Sequence, residues 1–182
     1  ICSAAIYKRL FVAFLPVGLI GFAFHSKVEA LLGSVLVVAW AMILGGVFLV
    51  VLEKRKSSHR VFTVESDGPS LKQSFIIGLF QCFALIPGVS RAAATIVGGL
   101  FQGLNRKESA EFSFLLALPT LTAATLFKLV KLWPTITMDK IQILLLGNFV
   151  SFVVGWAVVK GFLIYLQRYG FEFFGWYRIL LG

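Results

Sequence analysis

The chain has little charge, little acid and few of the side chains that build disulfides or metal clusters. Only 14% of its 182 residues are charged, 8 are acidic, 2 are cysteine and 2 are histidine. Cys2 and Cys82 lie far apart in the sequence, which excludes a disulfide framework and a cysteine-based metal cluster. Cys82 is typical of a small buried apolar residue.

Apolar residues fill most of the chain instead. They make up 59% of it, and the mean hydropathy is +0.92. A soluble domain has about 45–50% apolar and about 25% charged residues. The composition therefore predicts an integral membrane protein, folded as a single membrane domain over residues 1–182.

The net charge of +9 comes from basic residues that cluster between the apolar runs. This pattern is typical of cytoplasmic loop charges and excludes nucleic acid as a partner. The expected cytoplasmic set is Lys8, Arg9, Lys54, Lys56, Arg60, Arg106, Lys107 and Arg168. The smaller set on the opposite face is Lys27, Lys128, Lys131 and Lys140.

The hydropathy pattern predicts an all-α, polytopic helical membrane protein. We expect membrane spans at about residues 10–25, 31–52, 112–129 and 141–166, a partial span at 171–182, a re-entrant hairpin at 71–103 and a basic loop at 53–70. A polar break is expected at residues 25–29. Asn105 and Glu108 have the spacing of a helix-capping pair.

The hairpin prediction depends on residues 84–95, where Pro87 and Gly88 interrupt two short apolar arms. Arg91 follows directly, although an arginine at the bilayer centre costs about 2.5–3.5 kcal/mol on insertion scales. Such a residue is tolerated where it faces a polar cavity or binds an anion. In the second arm, Gly99 and Gly103 predict a small-residue face for close helix packing.

The residue types at this break suit a phosphate. Arg91 offers a planar fork of donors, and the start of the following helix presents free backbone N–H groups. Ser90 and Thr95 can add hydroxyl donors. The alternative interpretation is a transporter's broken helix, in which these polar groups only cap one another.

The stretch Gln81-Cys-Phe-Ala-Leu-Ile-Pro-Gly-Val-Ser-Arg-Ala-Ala-Ala-Thr95 resembles the signature of the undecaprenyl-diphosphate phosphatase family, the bacitracin-resistance type. The resemblance extends to residues 111–119 and to Tyr177-Arg178. It implies two inverted repeats, of which this chain holds about one and a half, and a bacterial inner-membrane enzyme. The implied reaction converts undecaprenyl diphosphate to undecaprenyl phosphate and inorganic phosphate, recycling the lipid carrier for cell-wall synthesis with a divalent cation (Mg²⁺ or Ca²⁺).

By this resemblance Arg91 and Ser90 are the catalytic residues, and they bind substrate together with Thr95 and Gly88. Two departures stand out. Ala92 replaces the serine that usually follows the arginine, and the family's other signature, a glutamate-rich hairpin followed by Pro-x-Ser-Ser-x-Gly-His, is absent. That signature supplies the family's metal-binding carboxylates, so we expect no metal ligands here.

We therefore expect a fragment that lacks residues at both ends and is inactive alone. Two functional hypotheses stay open. The first is a lipid-diphosphate phosphatase, and the second is a non-hydrolytic transporter or lipid flippase with the same anion-binding hairpin. The expected partners are a polyprenyl diphosphate lipid and the membrane, and homo-oligomerisation is left open.

Overall fold

The computed structural model describes residues 4–56, 68–135 and 138–182. These residues form helices and no strands, which confirms the all-α class. The helices are α1 Ala4–Ala23, α2 His25–Leu32, α3 Val35–Lys56, α4 Leu71–Cys82, α5 Arg91–Phe101, α6 Arg106–Leu132, α7 Met138–Tyr169 and α8 Glu172–Leu181. Short 3₁₀ turns lie at Phe83–Leu85 and Trp133–Thr135.

Four helices are long and apolar enough to cross a membrane. The candidate spans are Ala4–Ala23, Val35–Lys54, Arg106–Leu132 and Ile141–Tyr169. In contrast, α4 has 12 residues and α5 has 11, whereas a crossing helix needs about 20. The two short helices α4 and α5 form a helical hairpin: α4 packs on α1, and α5 packs on both α4 and α6. That this hairpin enters and leaves the membrane on the same side stays a prediction.

Several helix boundaries differ from those that hydropathy predicts. The polar residues 25–29 are helical and form most of α2, and the break between α1 and α2 lies at Phe24 instead. Helix α6 begins well before residue 112, because Asn105 caps it as predicted: its side chain accepts from the Glu108 amide at 2.8 Å, and Glu108 Oε2 accepts from the Asn105 amide at 3.1 Å. Helix α3 continues to Lys56, so the basic loop starts later than expected; residues 57–67 of that loop lie outside the described residues.

One end of the helix bundle is joined by Glu53, near the end of α3. Its carboxylate accepts from Arg106 Nη2, at the start of α6, and from the Phe171 amide at 3.1 Å, at the start of α8. Glu53 therefore ties three elements to one another. It also places Arg106 close to the helix end that carries Lys54, as the predicted grouping of basic residues requires.

The other end of the bundle has its own ion pairs. Glu29 of α2 lies 3.4 Å from the ammonium groups of both Lys128 and Lys131 near the end of α6. The hydrogen bond from Lys128, reinforced by the charge of Lys131, holds the pKa of Glu29 below its usual range. These lysines thus lie together with the helix that carries Lys27, as predicted, while the orientation of the two ends in the membrane stays a prediction.

Helix α5 lies against its neighbours with little space between them. A Cβ atom at Gly98 would lie 2.9 Å from Phe80 Cβ of α4, and one at Gly99 would lie 2.6 Å from Ser109 Oγ of α6. Gly99 therefore has the predicted packing role. Gly103 does not, since a Cβ there would meet nothing within 4 Å and its φ of +87° ends the helix.

Candidate functional site

The site is built at the break between α4 and α5. After the 3₁₀ turn, residues 86–90, which we call the hairpin tip, reverse the chain. The Val89 amide donates to the Ile86 carbonyl at 3.1 Å, and Gly88 has a φ of +90°, which L side chains rarely adopt. The Pro87-Gly88 pair thus produces the turn that the sequence predicts.

Ser90 is the N-cap of α5. Its Oγ accepts from the Ala93 amide at 3.2 Å, which satisfies one of the helix's unpaired donors. Within the described residues, no protein acceptor is found for the amides of Arg91 and Ala92 or for the Ser90 hydroxyl proton. These donors remain at a helix start, where the helix dipole also favours negative charge.

Arg91 is the first residue of α5 and is partly buried. Its Nη1 donates to the Ser113 carbonyl of α6 at 3.4 Å, a long contact. In the part of the chain that the structure describes, its other guanidinium N–H groups have no protein acceptor, and it makes no ion pair. Most of the fork is therefore available to a ligand rich in oxygen atoms, as expected for a phosphate-binding arginine.

Thr95, which the sequence predicts as a substrate contact, is buried between α5 and α6. It is 1% exposed, and its Oγ1 lies 2.9 Å from the Arg91 carbonyl and 2.5 Å from Ser113 Oγ. A hydroxyl has one proton and two acceptor sites, so these partners occupy most of its capacity. The structure brings Thr95 to Arg91 but turns its hydroxyl into the α5–α6 interface, which favours a supporting role over direct contact.

Gly88 forms the contact between the tip and α3. A Cβ atom there would lie 2.5 Å from the Val38 carbonyl oxygen and 3.0 Å from Ala41 Cβ. The glycine thus serves the approach of the backbone to a neighbouring helix. That Gly88 also binds substrate stays a prediction.

Two further residues of this region lie in the stretches that carry the family resemblance, but the sequence assigned them no role in the site. Ser113 contacts both Arg91 and Thr95, and Arg178 of α8 donates to the Gly88 carbonyl at 2.7 Å. A signal for Ser113 was present, because Ser109 and Ser113 lie one turn apart in an apolar helix and are both buried. No local pattern connects Arg178 with a glycine that precedes it by 90 residues.

The resemblance implies a divalent cation but places its ligands outside these residues. Among residues 4–56, 68–135 and 138–182, no group of three histidine, cysteine or acidic side chains is placed to hold a metal ion. Glu53 is already held by Arg106, and Glu111 lies near Lys107, at 3.9 Å.

The fold and the site together define an all-helical membrane protein with an arginine and a serine at the break between two short helices. Residues 3–182 match the family described as bacitracin resistance protein BacA. The chain belongs to this family, and the resemblance noted in the sequence is confirmed.

Curated relatives share much of the sequence. An undecaprenyl-diphosphatase of Bdellovibrio bacteriovorus is 51% identical over 97% of this chain and 67% of its own length. The proteins of that name from Porphyromonas gingivalis and Aquifex aeolicus are 45% and 43% identical, again over 97% of this chain, and are covered over 63% and 69% of their lengths. The chain thus spans about two thirds of the length of these relatives.

Proposed function

We propose that this chain is part of an undecaprenyl-diphosphate phosphatase. The reaction adds water to the terminal phosphorus and breaks the bond to the bridging oxygen, which leaves undecaprenyl phosphate and inorganic phosphate. Membership of the BacA family and the names of relatives at 43–51% identity support this assignment. The observation that carries it in the structure is the largely unpaired Arg91 guanidinium beside the N-terminus of α5.

Arg91 and the first amides of α5 would hold the diphosphate oxygens and stabilise the charge that develops on them. Ser90, at the same helix start, would direct its hydroxyl proton at a phosphate oxygen. Ser113 of α6 would fix the position of Arg91 through its carbonyl, which accepts from Arg91 Nη1, and Thr95 would support Ser113 through the contact between their hydroxyls.

The product would re-enter the lipid carrier cycle of cell-wall synthesis, and the activity would confer resistance to bacitracin. The protein would cross the bacterial inner membrane several times, with the four long helices as spans. A divalent cation, Mg²⁺ or Ca²⁺, is part of the proposal only through the family resemblance. Its ligands would be the substrate's own oxygens and groups other than the described side chains.

The test is phosphate release from a long-chain prenyl diphosphate by the full-length protein in detergent. We expect Arg91→Ala to lower kcat/KM by about a hundredfold or more, because removing a charge-stabilising donor costs about 10²–10³ in rate. Arg168→Ala is the matched control, since Arg168 is an exposed arginine on α7. Its activity should equal that of the wild type at the same expression level.

Two results would contradict the proposal. If the wild type releases no phosphate with any divalent cation, a non-hydrolytic transporter or flippase becomes the better explanation of the same hairpin. If Arg91→Ala is as active as the wild type, the arginine is structural and the reacting phosphates are bound elsewhere.

A further inference from the structure

A second arginine reaches the hairpin tip from the end of the described chain. Arg178 of α8 donates through Nη2 to the Gly88 carbonyl at 2.7 Å and to the Ala41 carbonyl of α3 at 3.2 Å. One guanidinium therefore joins α8, α3 and the tip. The two carbonyls belong to elements that approach each other directly, since a Cβ at Gly88 would lie 3.0 Å from Ala41 Cβ.

The tip needs such a donor. A broken helix leaves carbonyl groups without their helical partners, and at membrane depth water is not freely available to replace them. The α5 helix starts at Arg91, and no described amide donates to the Gly88 carbonyl. A charged donor forms a shorter and stronger hydrogen bond than a neutral one, so the guanidinium holds this carbonyl firmly.

Two glycines on α3 make room for the guanidinium and its helix. A Cβ atom at Gly45 would lie 2.7 Å from Arg178 Nη2, and one at Gly46 would lie 2.6 Å from the Gly175 carbonyl of α8. Arg178 Nε is buried and has no described partner. The side chain therefore depends on the two backbone carbonyls for its polar contacts, which fixes its position relative to the tip.

We propose that Arg178 is a positioning residue for the phosphatase reaction. It fixes the Gly88 carbonyl, and thereby the backbone that carries Ser90 and Arg91, two and three residues further along the chain. Arg178 would touch neither substrate nor reacting atoms in this role. The kinetic part of this inference rests on the proposed function, whereas the position of the tip can be measured independently of activity.

The kinetic test compares Arg178→Met, which keeps an unbranched apolar stem and removes the guanidinium donors, with Arg178→Lys. A hydrogen bond to a charged group contributes about 1.5–3 kcal/mol, so Arg178→Met should lower kcat/KM by about ten- to a hundredfold. Arg178→Lys should recover part of that loss, because its ammonium can still donate to the Gly88 carbonyl. Arg168→Met serves as the control and should leave kcat/KM unchanged.

A double mutant separates positioning from general stabilisation. If Arg178 acts through Arg91, Arg178→Met should change kcat/KM by less than about threefold when Arg91 is already alanine, since sites that act together are not additive. The proposal would be overturned if the two single-variant losses in kcat/KM multiplied in the double mutant at equal expression.

The second test does not require activity. In a background without native cysteines, Val89→Cys is labelled with a water-soluble thiol reagent in detergent. We expect Arg178→Met to raise the labelling rate by about ten- to a hundredfold, because the same hydrogen bonds restrain the tip. Arg168→Met should leave the labelling rate unchanged. Arg178→Lys should give an intermediate labelling rate, and it is used in place of Arg178→Met if the methionine variant fails to fold.

The outcomes distinguish the two proposals. An unchanged labelling rate in Arg178→Met and Arg178→Lys overturns the positioning role, whatever the activity. If the wild type releases no phosphate but the labelling rate rises as expected, the proposed reaction is wrong and Arg178 still fixes the tip.

Discussion

Replacing Gly88 with alanine tests whether the hairpin tip is held against α3. Two penalties apply at this position. A non-glycine residue at a φ of +90° stores about 1–3 kcal/mol of strain. The new methyl group would also lie 2.5 Å from the Val38 carbonyl oxygen, and relieving such an overpacked contact costs about 1–3 kcal/mol more. We expect Gly88→Ala to lower the free energy of unfolding by about 2–6 kcal/mol.

Gly103→Ala is a closely matched control. Gly103 has a φ of +87°, so its alanine variant suffers nearly the same backbone strain, but nothing lies within 4 Å of the added methyl group. Its loss should be only about 1–3 kcal/mol. The measurement is unfolding by SDS titration from mild detergent, followed by tryptophan fluorescence. Equal losses for the two variants would refute the contact between the tip and α3.

Two further substitutions test the contacts behind the site and at the end of the bundle. Ser113→Ala should cost about 0.5–1.5 kcal/mol because it removes one hydrogen bond of the buried Thr95 hydroxyl, which keeps the Arg91 and Ala92 carbonyls as partners. Ser109→Ala should be close to neutral, since Ser109 Oγ has no described partner. A larger loss for Ser109→Ala in the same titration would contradict this. Glu53→Ala should lower the free energy of unfolding by about 1–3 kcal/mol. Glu111→Ala removes only an exposed ion pair of 3.9 Å and should cost less than about 1 kcal/mol. Equal losses for the two variants would show that Glu53 does not hold the three helices together.

Local signals explain how much of the fold was predictable. Pro87 and Gly88 dictate a turn by their own backbone preferences, and Asn105 caps α6 through an amide only three residues away. Both features depend only on residues that are close together in the sequence. Hydropathy misplaced the start of α6 for a related reason, since a capped polar first turn is helical without being apolar.

The direction of a side chain could not be predicted in the same way. Thr95 lies on the helical face of Arg91, as its spacing requires, yet its hydroxyl points at Ser113 of another helix. A threonine within a helix can bond its own preceding carbonyls or a neighbouring helix instead of a ligand, and only the packing decides between them. The contact of Arg178 with Gly88 is likewise set by the packing of α8 on α3.

The charge balance around the tip gives the strongest physical reason to expect an anion there. The hairpin tip receives Arg178 on one side and is followed by Arg91 on the other, and neither arginine makes an ion pair with the described part of the chain. The described glutamates that form ion pairs, Glu29, Glu53 and Glu111, are engaged by basic residues of α6 rather than by these two arginines. A partly buried cation without a counterion is costly, so binding a diphosphate would relieve a cost that the fold itself leaves in place.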